Sequence, residues 1–460
     1  MRFSRATLFL LGAVVCCAAW LVFYSSGAVA RAADSLMRAE VERGRFSGVV
    51  LVSREGKTLF QRAYGMADRS WSIPNTVDTK FEIGSISKPF TAILVLQLEV
   101  EGRLALTDAL CKYLSDCPPE WAAITLRHLL SHTSGIFNIT ATRDIENAAR
   151  APVSRAELMG RMRAQPLAFA PGTRFSYSNS NYHLLGSVVE KVTGQSLEAV
   201  LHQRILDPLG MRDTGVLHSA SVLQHRAEGY SRDRVGRVVS SPVWDESWKF
   251  GAGGLYSTAA DLAKFSAALD SGKLLPQQVL EQMSEPVQEG YGLGWELSTA
   301  VAKSGPRRPV VGHAGHVPGF GSVLRRLPDQ SLTIVVFIND DSGNPVRVAD
   351  GMTALALGEE YEPVFDRKSI SILPDLAVRL AGEYELGGQT FVVTARDGRL
   401  FVRAESDAPR PEVEMLADSE NTFYLRDTAA DMVLLDDGRG KIVGFQLHGA
   451  GQERVARRVR

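Results

Sequence analysis

The sequence lacks several features that mark common classes of protein. Its formal net charge is only −1, so no strongly basic or acidic balance indicates nucleic acid or a membrane surface as a partner. It contains no glycine-rich phosphate loop, no dinucleotide-binding fingerprint, no internal repeat and no low-complexity tract. We therefore predict no nucleic-acid partner and no cofactor, and expect the partner to be a small-molecule or peptide substrate.

The remaining composition is that of an ordinary globular protein. Hydrophobic residues make up 45% of the 460 residues and charged residues 22%, which is enough for a large core. A chain of this length usually forms two or three domains, or one large domain with a small one.

The N-terminus has the layout of a secretory signal. Arg2 and Arg5 precede an apolar run at 8–24, and Ala28-Val29-Ala30 follows it. Residues 1–30 are thus predicted to be a signal peptide cleaved after Ala30. The 17-residue run also allows an uncleaved membrane anchor. Both alternatives place the bulk of the protein outside the cytoplasm, in the periplasm or secreted.

The positions of the cysteines are compatible with export. Cys16 and Cys17 lie inside the apolar run, which leaves Cys111 and Cys117 in the mature chain. Two cysteines in one short exported loop can form a disulfide, although their spacing also allows two free thiols.

Apolar periodicity and turn residues predict an α+β chain with a small all-β domain at its C-terminus. A hairpin is expected at 46–64 around Glu55-Gly56, and successive antiparallel strands at 308–340. A helix that Asn179 or Ser180 caps should end at Gly194, and a further helix should follow a cap at Ser257 or Thr258. Short strands with an Asp397-Gly398 turn fill residues 368–460, while residues 35–360 form the main domain.

Ser85 and Lys88 form the first candidate site, in "FEIGSISKPFTAILVLQLEVEG". Positions i and i+3 of a helix share a face, so the Lys88 amine can reach the Ser85 hydroxyl. A serine is a weak nucleophile until a base removes its proton, and a lysine is a base only when its pKa falls from about 10.4 towards about 7. Burial against the apolar helix supplies such a shift. The alternative is an ordinary helix cap followed by a surface lysine.

Two further segments carry groups that suit the same chemistry. Tyr177-Ser178-Asn179 offers a phenol that can pass a proton to a leaving group, and a carboxamide that can orient a substrate amide. His313-Ala314-Gly315 offers small residues against which a substrate backbone can lie, and a histidine for a substrate carboxylate. Taken singly, each segment is also compatible with a core tyrosine and helix cap, or with a glycine-rich strand end.

The three segments, in this order and at these intervals, resemble the class C β-lactamase and D-alanyl-D-alanine peptidase family of serine hydrolases. The surrounding sequence is similar too, over about residues 40–345, including "LRHLLSHTSGI", "PGTRFSYSNSNYHLLGSVVEKVTG" and "GAGGLYSTAADLAKF". The resemblance implies a β-lactamase/transpeptidase-like fold, in which a helical region packs on an antiparallel sheet.

The resemblance also implies a role for each site residue. Ser85 would be the acylated nucleophile, Lys88 and Tyr177 would share the acid–base work, and Asn179 would orient the substrate amide. The backbone amides of Ser85 and His316 would form the oxyanion hole beside Gly315. Which of Lys88 and Tyr177 is the general base stays open.

One departure from the family pattern concerns the substrate. Many β-lactamases of this type have Lys-Thr-Gly where this chain has His313-Ala314-Gly315, so a permanent cation for a β-lactam carboxylate is missing. β-Lactams, D-amino-acid peptides and simple esters all stay open as substrates.

Two other functions compete with a serine hydrolase. His128, His132, His313 and His316 allow a metal-dependent hydrolase, although no acidic ligand lies near them in the sequence and no metal is expected. A non-catalytic cell-wall or ligand-binding protein on the same fold is the second alternative.

Overall fold

A computed structural model of the protein describes residues 27–142, 144–233, 236–300, 306–359, 361, 369–386, 389–404, 412–425, 431–449 and 452–459. The predicted apolar segment at 8–24 lies outside these ranges. Within them, no helix combines the length and the apolarity that crossing a bilayer requires.

The helices are 27–42 (α1), Ser87–Val100 (α2), Leu126–Leu130 (α3), Ile145–Ala148 (α4), Arg155–Arg163 (α5), Asn179–Thr193 (α6), Leu197–Leu201 (α7), Asp207–Leu209 (α8), Phe250–Gly253 (α9), Ala259–Asp270 (α10), Gln277–Met283 (α11), Pro345–Ala356 (α12) and Pro374–Leu380 (α13). The strands of the first 360 residues are Gly48–Arg54 (β1), Lys57–Tyr64 (β2), Met66–Asp68 (β3), Ile73–Pro74 (β4), Phe81–Glu82 (β5), Gly215–Val216 (β6), Tyr230–Arg232 (β7), Val238–Ser240 (β8), Leu255–Ser257 (β9), Glu296–Ala300 (β10), Arg308–Val317 (β11), Phe320–Leu327 (β12) and Leu332–Ile338 (β13). The remaining strands are Gly382–Leu386 (β14), Gln389–Arg396 (β15), Arg399–Ala404 (β16), Val413–Ala417 (β17), Thr422–Leu425 (β18), Asp431–Asp436 (β19), Ile442–Gly449 (β20) and Gln452–Arg458 (β21).

A six-stranded antiparallel sheet forms the centre of the main domain, in the order β10-β11-β12-β13-β1-β2. The predicted hairpin is β1 and β2, and its turn residues Glu55 and Gly56 both have positive φ, as a tight hairpin turn requires. The β1 strand pairs on its other side with β13. The two ends of this domain therefore meet in the middle of one sheet.

Alternate residues of the sheet face two separate cores, as the two-residue period of a strand dictates. Val49, Leu51 and Phe337 face the helical region that contains α2, α6 and α10. Val50 and Val336 face the opposite core, with α1 and α12. The sheet is thus covered on both faces, which explains why its central strands β1 and β13 are almost continuously apolar.

The α2 helix crosses the middle of the helical region. Eleven of its fourteen residues are buried, so it is apolar on nearly every side, as expected of a helix inside a core. Its Phe90 ring stacks on Phe265 of α10 at 4.0 Å between centroids. This packing fixes the start of α2, where the candidate nucleophile lies.

The C-terminal strands form a different architecture. Strands β14 to β21 form a closed antiparallel barrel in chain order, with its own core around Tyr384, Phe423 and Phe445. The predicted turn at Asp397-Gly398 joins β15 and β16, and both of its residues have positive φ. The α+β class with a small all-β C-terminal domain is confirmed, whereas the boundaries 35–360 and 368–460 stay a prediction.

The loop after α2 contains the two cysteines of the predicted mature chain. Cys111 and Cys117 are joined in a disulfide, which is one of the two alternatives that their spacing left open.

Candidate active site

Ser85 lies in a single turn of 3₁₀ helix, Gly84–Ile86, that leads directly into α2. It is the one half-buried residue in the otherwise buried run 79–96. The Ser87 hydroxyl donates to Gly84 O at 2.7 Å and accepts the Leu255 N–H at 3.1 Å, which fixes the turn. The sequence placed Ser85 at a helix start, and the structure leaves its hydroxyl accessible there.

Lys88 is fully buried one turn further on. Its Nζ donates to Asn179 Oδ1 at 2.7 Å and to Ala252 O at 2.8 Å, and it lies within hydrogen-bonding distance of Ser85 Oγ at 3.0 Å. Burial lowers the pKa of this amine well below its ordinary value, and the negative charge of Glu296 opposes part of that shift. Burial therefore favours the neutral amine, which is the form that can accept a proton.

Tyr177 approaches the same serine from the loop before α6. Burial raises the pKa of its phenol well above the ordinary value, and a hydrogen bond with Ser85 offsets part of this shift. The Lys88 Nζ lies 4.8 Å from the centroid of the Tyr177 ring. Burial therefore favours the neutral phenol, which is the form that can donate a proton.

Asn179 does not cap α6, although the sequence predicted Asn179 or Ser180 as the cap. The N-cap residue of α6 is Ser178, which makes no side-chain cap, whereas Asn179 turns into the site. Its Oδ1 accepts from Lys88, and its Nδ2 donates to Thr140 Oγ1 at 2.7 Å. Asn138 Oδ1 accepts the Asn179 N–H at 3.1 Å. The carboxamide thus contacts Lys88 in this structure, and Asn138 and Thr140 hold it in place.

His132 packs against the Tyr177 ring and binds the backbone of the loop before α6. Its ring is buried 4.3 Å from the ring of Tyr177, and its Nδ1 accepts the Ser178 N–H at 3.2 Å. Burial and the nearby Lys88 lower the pKa of this imidazole well below its ordinary value. His132 is therefore a neutral structural residue, while His128 lies in the capping box of α3 with Thr125.

His313 lies at the site, and its imidazole is buried there. The residue is only 2% exposed. Its Nδ1–H donates to Ala314 O at 2.6 Å, and its Nε2 accepts from the Tyr291 hydroxyl at 3.0 Å. Burial and the charge of Lys88 lower the pKa of the imidazole to about 3. Burial therefore disfavours the cationic form of this ring, and the contact of His313 with a substrate carboxylate stays a prediction.

Gly315 lets β11 lie directly against the turn that holds Ser85. A Cβ at this position would lie 2.1 Å from Ile83 O and 3.0 Å from Ser85 N, so only glycine fits. A Cβ on Gly84, whose φ is +49°, would lie 2.8 Å from His316 N. The amides of Ser85 and His316 therefore lie on two segments in direct contact.

The direction of the His316 amide follows from its neighbour. The Ala314 N–H points to the outer edge of β11, since it donates to Glu296 Oε2 at 3.2 Å. Amides two residues apart in a strand point the same way, so the His316 N–H points to this edge too. The His316 ring is 71% exposed and lies 3.5 Å from Asp341. The ring thus lies towards solvent, and the oxyanion-hole role that the resemblance implies for the His316 amide stays a prediction.

A cavity of about 370 Å³ opens beside Tyr177 and His313. Its walls include Tyr177, Tyr291, Glu296, His313 and Ala314. Sequence reasoning missed Tyr291 and Glu296, because neither belongs to a motif and both reach the site only through the register of the sheet edge.

The chain matches the Beta-lactamase family over residues 33–359. It is 27% identical over 434 residues to penicillin-binding protein 4* of Bacillus subtilis (strain 168), covering 86% of this chain and 94% of that protein. The fold is similar to the octameric penicillin-binding protein homologue from Pyrococcus abyssi, with a TM-score of 0.67 and 24% identity over 93% of this chain and all of that one. It is also similar to the D-stereospecific amidohydrolase from Streptomyces sp., with a TM-score of 0.60 and 27% identity over 70% of this chain and 98% of that one. The family resemblance is thereby confirmed, and this protein belongs to the beta-lactamase family of serine hydrolases.

Proposed function

We propose that the protein is an exported serine hydrolase that forms an acyl-enzyme on Ser85 and cleaves small amides, peptides or esters. The observation that carries the proposal is the buried amine of Lys88, 3.0 Å from Ser85 Oγ, with a lowered pKa. A buried amine next to an accessible hydroxyl is the arrangement that activates a serine without a histidine.

The first half of the reaction transfers the acyl group to the enzyme. Neutral Lys88 takes the hydroxyl proton as Ser85 Oγ bonds to the substrate carbonyl carbon. The carbonyl oxygen becomes an oxyanion, which the amides of Ser85 and His316 stabilise. When the tetrahedral intermediate collapses, the bond to the leaving group breaks. The leaving group takes a proton from the Tyr177 phenol, and the ammonium of Lys88 replaces that proton.

The second half returns the enzyme to its starting state. A water molecule attacks the acyl carbon, and its proton passes to Lys88, which is neutral again after the first half. The bond to Ser85 Oγ then breaks, and Oγ recovers its proton from Lys88. Lys88 is the general base in both halves, because the raised pKa of Tyr177 keeps that side chain protonated.

Two observations support export. Arg2 and Arg5 precede the apolar run at 8–24 in the arrangement of a secretory signal. The Cys111–Cys117 disulfide is of a kind that persists in oxidising compartments. Cell fractionation with an antibody against the C-terminal domain tests this part, and a cytoplasmic pool of unprocessed protein contradicts it.

A D-amino-acid amide or ester fits the site better than a β-lactam does. The Streptomyces neighbour is a D-stereospecific amidohydrolase, and the neutral His313 offers no cation to a β-lactam carboxylate. We expect kcat/KM for D-alanine amide or p-nitrophenyl butyrate to exceed that for nitrocefin.

The decisive experiment is labelling with a fluorophosphonate probe. We expect the wild type to be labelled and Ser85→Ala to stay unlabelled, with the adduct mapped to Ser85 by mass spectrometry. Absence of labelling in folded wild type supports a non-catalytic binding protein instead. Activity that a chelator abolishes and Ser85→Ala retains supports a metal-dependent hydrolase.

A further inference from the structure

Glu82 and Lys249 form a buried ion pair close to the catalytic residues. Lys249 Nζ donates to Glu82 Oε2 at 2.7 Å, and the side chains of Lys249 and Glu82 are only 4% and 6% exposed. Arg226 donates to the other carboxylate oxygen, Oε1, at 3.3 Å. A buried ion pair adds little net stability, because the cost of removing two charges from water offsets most of their attraction. A role in fixing the geometry of neighbouring groups therefore explains this pair better than stability does.

Each partner of the pair lies three residues before a group that contacts Lys88. Glu82 ends β5, and Ser85 follows it three residues later. Lys249 directly precedes α9, and its carbonyl accepts the Ala252 N–H at 2.9 Å. The Ala252 carbonyl in turn accepts from Lys88 Nζ at 2.8 Å. The ion pair thus joins the segment that carries the nucleophile to the segment that carries an acceptor for the base.

The backbone next to Lys249 is strained, so its conformation depends on contacts with its surroundings. Phe250 has a φ of +28°, which a residue other than glycine rarely adopts. Such strain persists only where surrounding contacts hold the chain in place. The far end of this segment is held by β9, in which Tyr256 pairs with Glu82 of β5. The ion pair holds the strained end.

The position of the Ala252 carbonyl affects which side of the Lys88 amine can take a proton. A neutral primary amine has two N–H donors and one lone pair. Asn179 Oδ1 and Ala252 O lie 2.7 and 2.8 Å from Lys88 Nζ, so they can accept both N–H groups. The lone pair is then directed at the third neighbour, Ser85 Oγ, at 3.0 Å. Without the Ala252 acceptor, the amine is free to rotate and to turn an N–H towards Ser85.

We propose that Glu82 and Lys249 are a positioning pair for the general base. Their ion pair holds the Ala252 carbonyl on Lys88 and thereby keeps the lone pair of the amine directed at the Ser85 hydroxyl. Both residues act through Ala252 rather than on the substrate. This inference rests on the proposed function, because it assumes that Lys88 is the base that activates Ser85.

The double variant Glu82→Gln/Lys249→Met tests the inference. It removes one charge of each sign, so neither partner is left as an unpaired buried charge, and we expect the variant to fold. A displacement of about 1 Å in a catalytic site can reduce a rate by about a hundredfold. We therefore expect fluorophosphonate to label Ser85 about ten- to a hundredfold more slowly in the folded double variant than in wild type. Glu82→Gln alone should be at least as slow and should also unfold at a lower temperature, because it leaves Lys249 unpaired.

The pH profile of labelling separates a positioning role from a general loosening of the fold. The labelling rate should rise with pH as Lys88 loses its proton, so the midpoint of the profile reports the pKa of the amine. A carbonyl that accepts from Lys88 stabilises the ammonium, so its loss should lower that pKa and move the midpoint to lower pH in the double variant. A loosened fold would instead let water reach the amine, which raises the pKa and moves the midpoint to higher pH. The variant leaves unchanged the titratable groups that act on Lys88, which are His132, Tyr177, Tyr182, His183, Glu296 and His313.

A second buried ion pair provides the matched control. Arg347 Nη2 donates to Glu40 Oε2 at 2.7 Å, and the two side chains are 2% and 1% exposed. This pair joins α12 to α1 on the opposite face of the central sheet from α2. Glu40→Gln/Arg347→Met should therefore change the melting temperature without changing the labelling rate or the midpoint pH of the folded protein.

The outcomes separate this inference from the proposed function. If the folded Glu82→Gln/Lys249→Met variant is labelled within threefold of the wild-type rate, or if its midpoint moves to higher pH, the positioning role is overturned and the proposed function stands. If folded wild type is not labelled at all, the proposed function is overturned and this inference with it.

Discussion

Replacing Gly315 with alanine tests whether the site depends on the direct contact between β11 and the Ser85 turn. The added methyl group would lie 2.1 Å from Ile83 O and 2.4 Å from Ser322 Oγ, and these two atoms share a hydrogen bond of 2.8 Å. One of the clashing atoms belongs to the backbone, so the strand and the turn must move apart. Such overpacking costs about 1–3 kcal/mol of stability.

The same separation should reduce the activity much more than the stability. The Ser85 and His316 amides lie on the two segments that would part, and losing one oxyanion donor lowers kcat by about 10²–10³. We therefore expect Gly315→Ala to fold with a lower melting temperature and to react with fluorophosphonate at least about a hundredfold more slowly. The readouts are thermal unfolding, the labelling rate and kcat/KM on p-nitrophenyl butyrate.

The chain provides a matched control for this prediction. A Cβ on Gly444, in the C-terminal barrel, would lie 2.3 Å from Ala456 O, which is the same kind of clash with a strand carbonyl. Gly444→Ala should lose stability without a comparable loss of labelling rate in its folded fraction. A folded Gly315→Ala that is labelled within threefold of the wild-type rate would refute the reasoning.

Three further predictions concern protonation and the support of Lys88. The labelling rate of Ser85 should rise with pH through the pKa of Lys88 and level off well below pH 10.5, because burial lowers that pKa and only the neutral amine accepts the proton. A Lys88→Met variant should be labelled about 10²–10⁴ times more slowly and should lose the pH dependence. A wild-type labelling rate that still climbs at pH 10.5 would contradict this prediction. Thr140→Val removes the acceptor for Asn179 Nδ2, so kcat/KM should fall roughly tenfold, whereas Thr173→Val on the exposed loop should leave it unchanged. The ratio of KM for a carboxylate-bearing ester to KM for its neutral counterpart should be constant from about pH 5.5 to 7.5, because the pKa of His313 is about 3. A rise of that KM ratio through about pH 6 to 7 would show that the imidazole is a cation at lower pH.

Much of the fold could be predicted because its signals are local. The β1–β2 hairpin and the β15–β16 hairpin each follow from a two-residue turn whose backbone only certain residues adopt easily. The end of α6 follows from Gly194, whose φ of +72° suits a left-handed C-cap, and Thr258 caps α10 as one of the two residues expected. The N-cap of α6 was predicted wrongly. The N-cap residue is Ser178, and the Asn179 side chain, which was expected to cap the helix, contacts Lys88 and Thr140 instead.

The sequence by itself determined which reactive groups the protein has and that Ser85 and Lys88 meet at a helix start, because a three-residue separation there brings the two side chains to one face. Only the tertiary structure decided the protonation of those groups and their surroundings. Lys88 meets Asn179 and Ala252 across separations of 91 and 164 residues, and desolvation among distant segments makes His313 neutral. Glu296 reaches the same cavity only through the register of β10 on β11. A pKa depends on the solvent that packing removes and on the charges that packing brings near, and neither is written in the spacing of a motif.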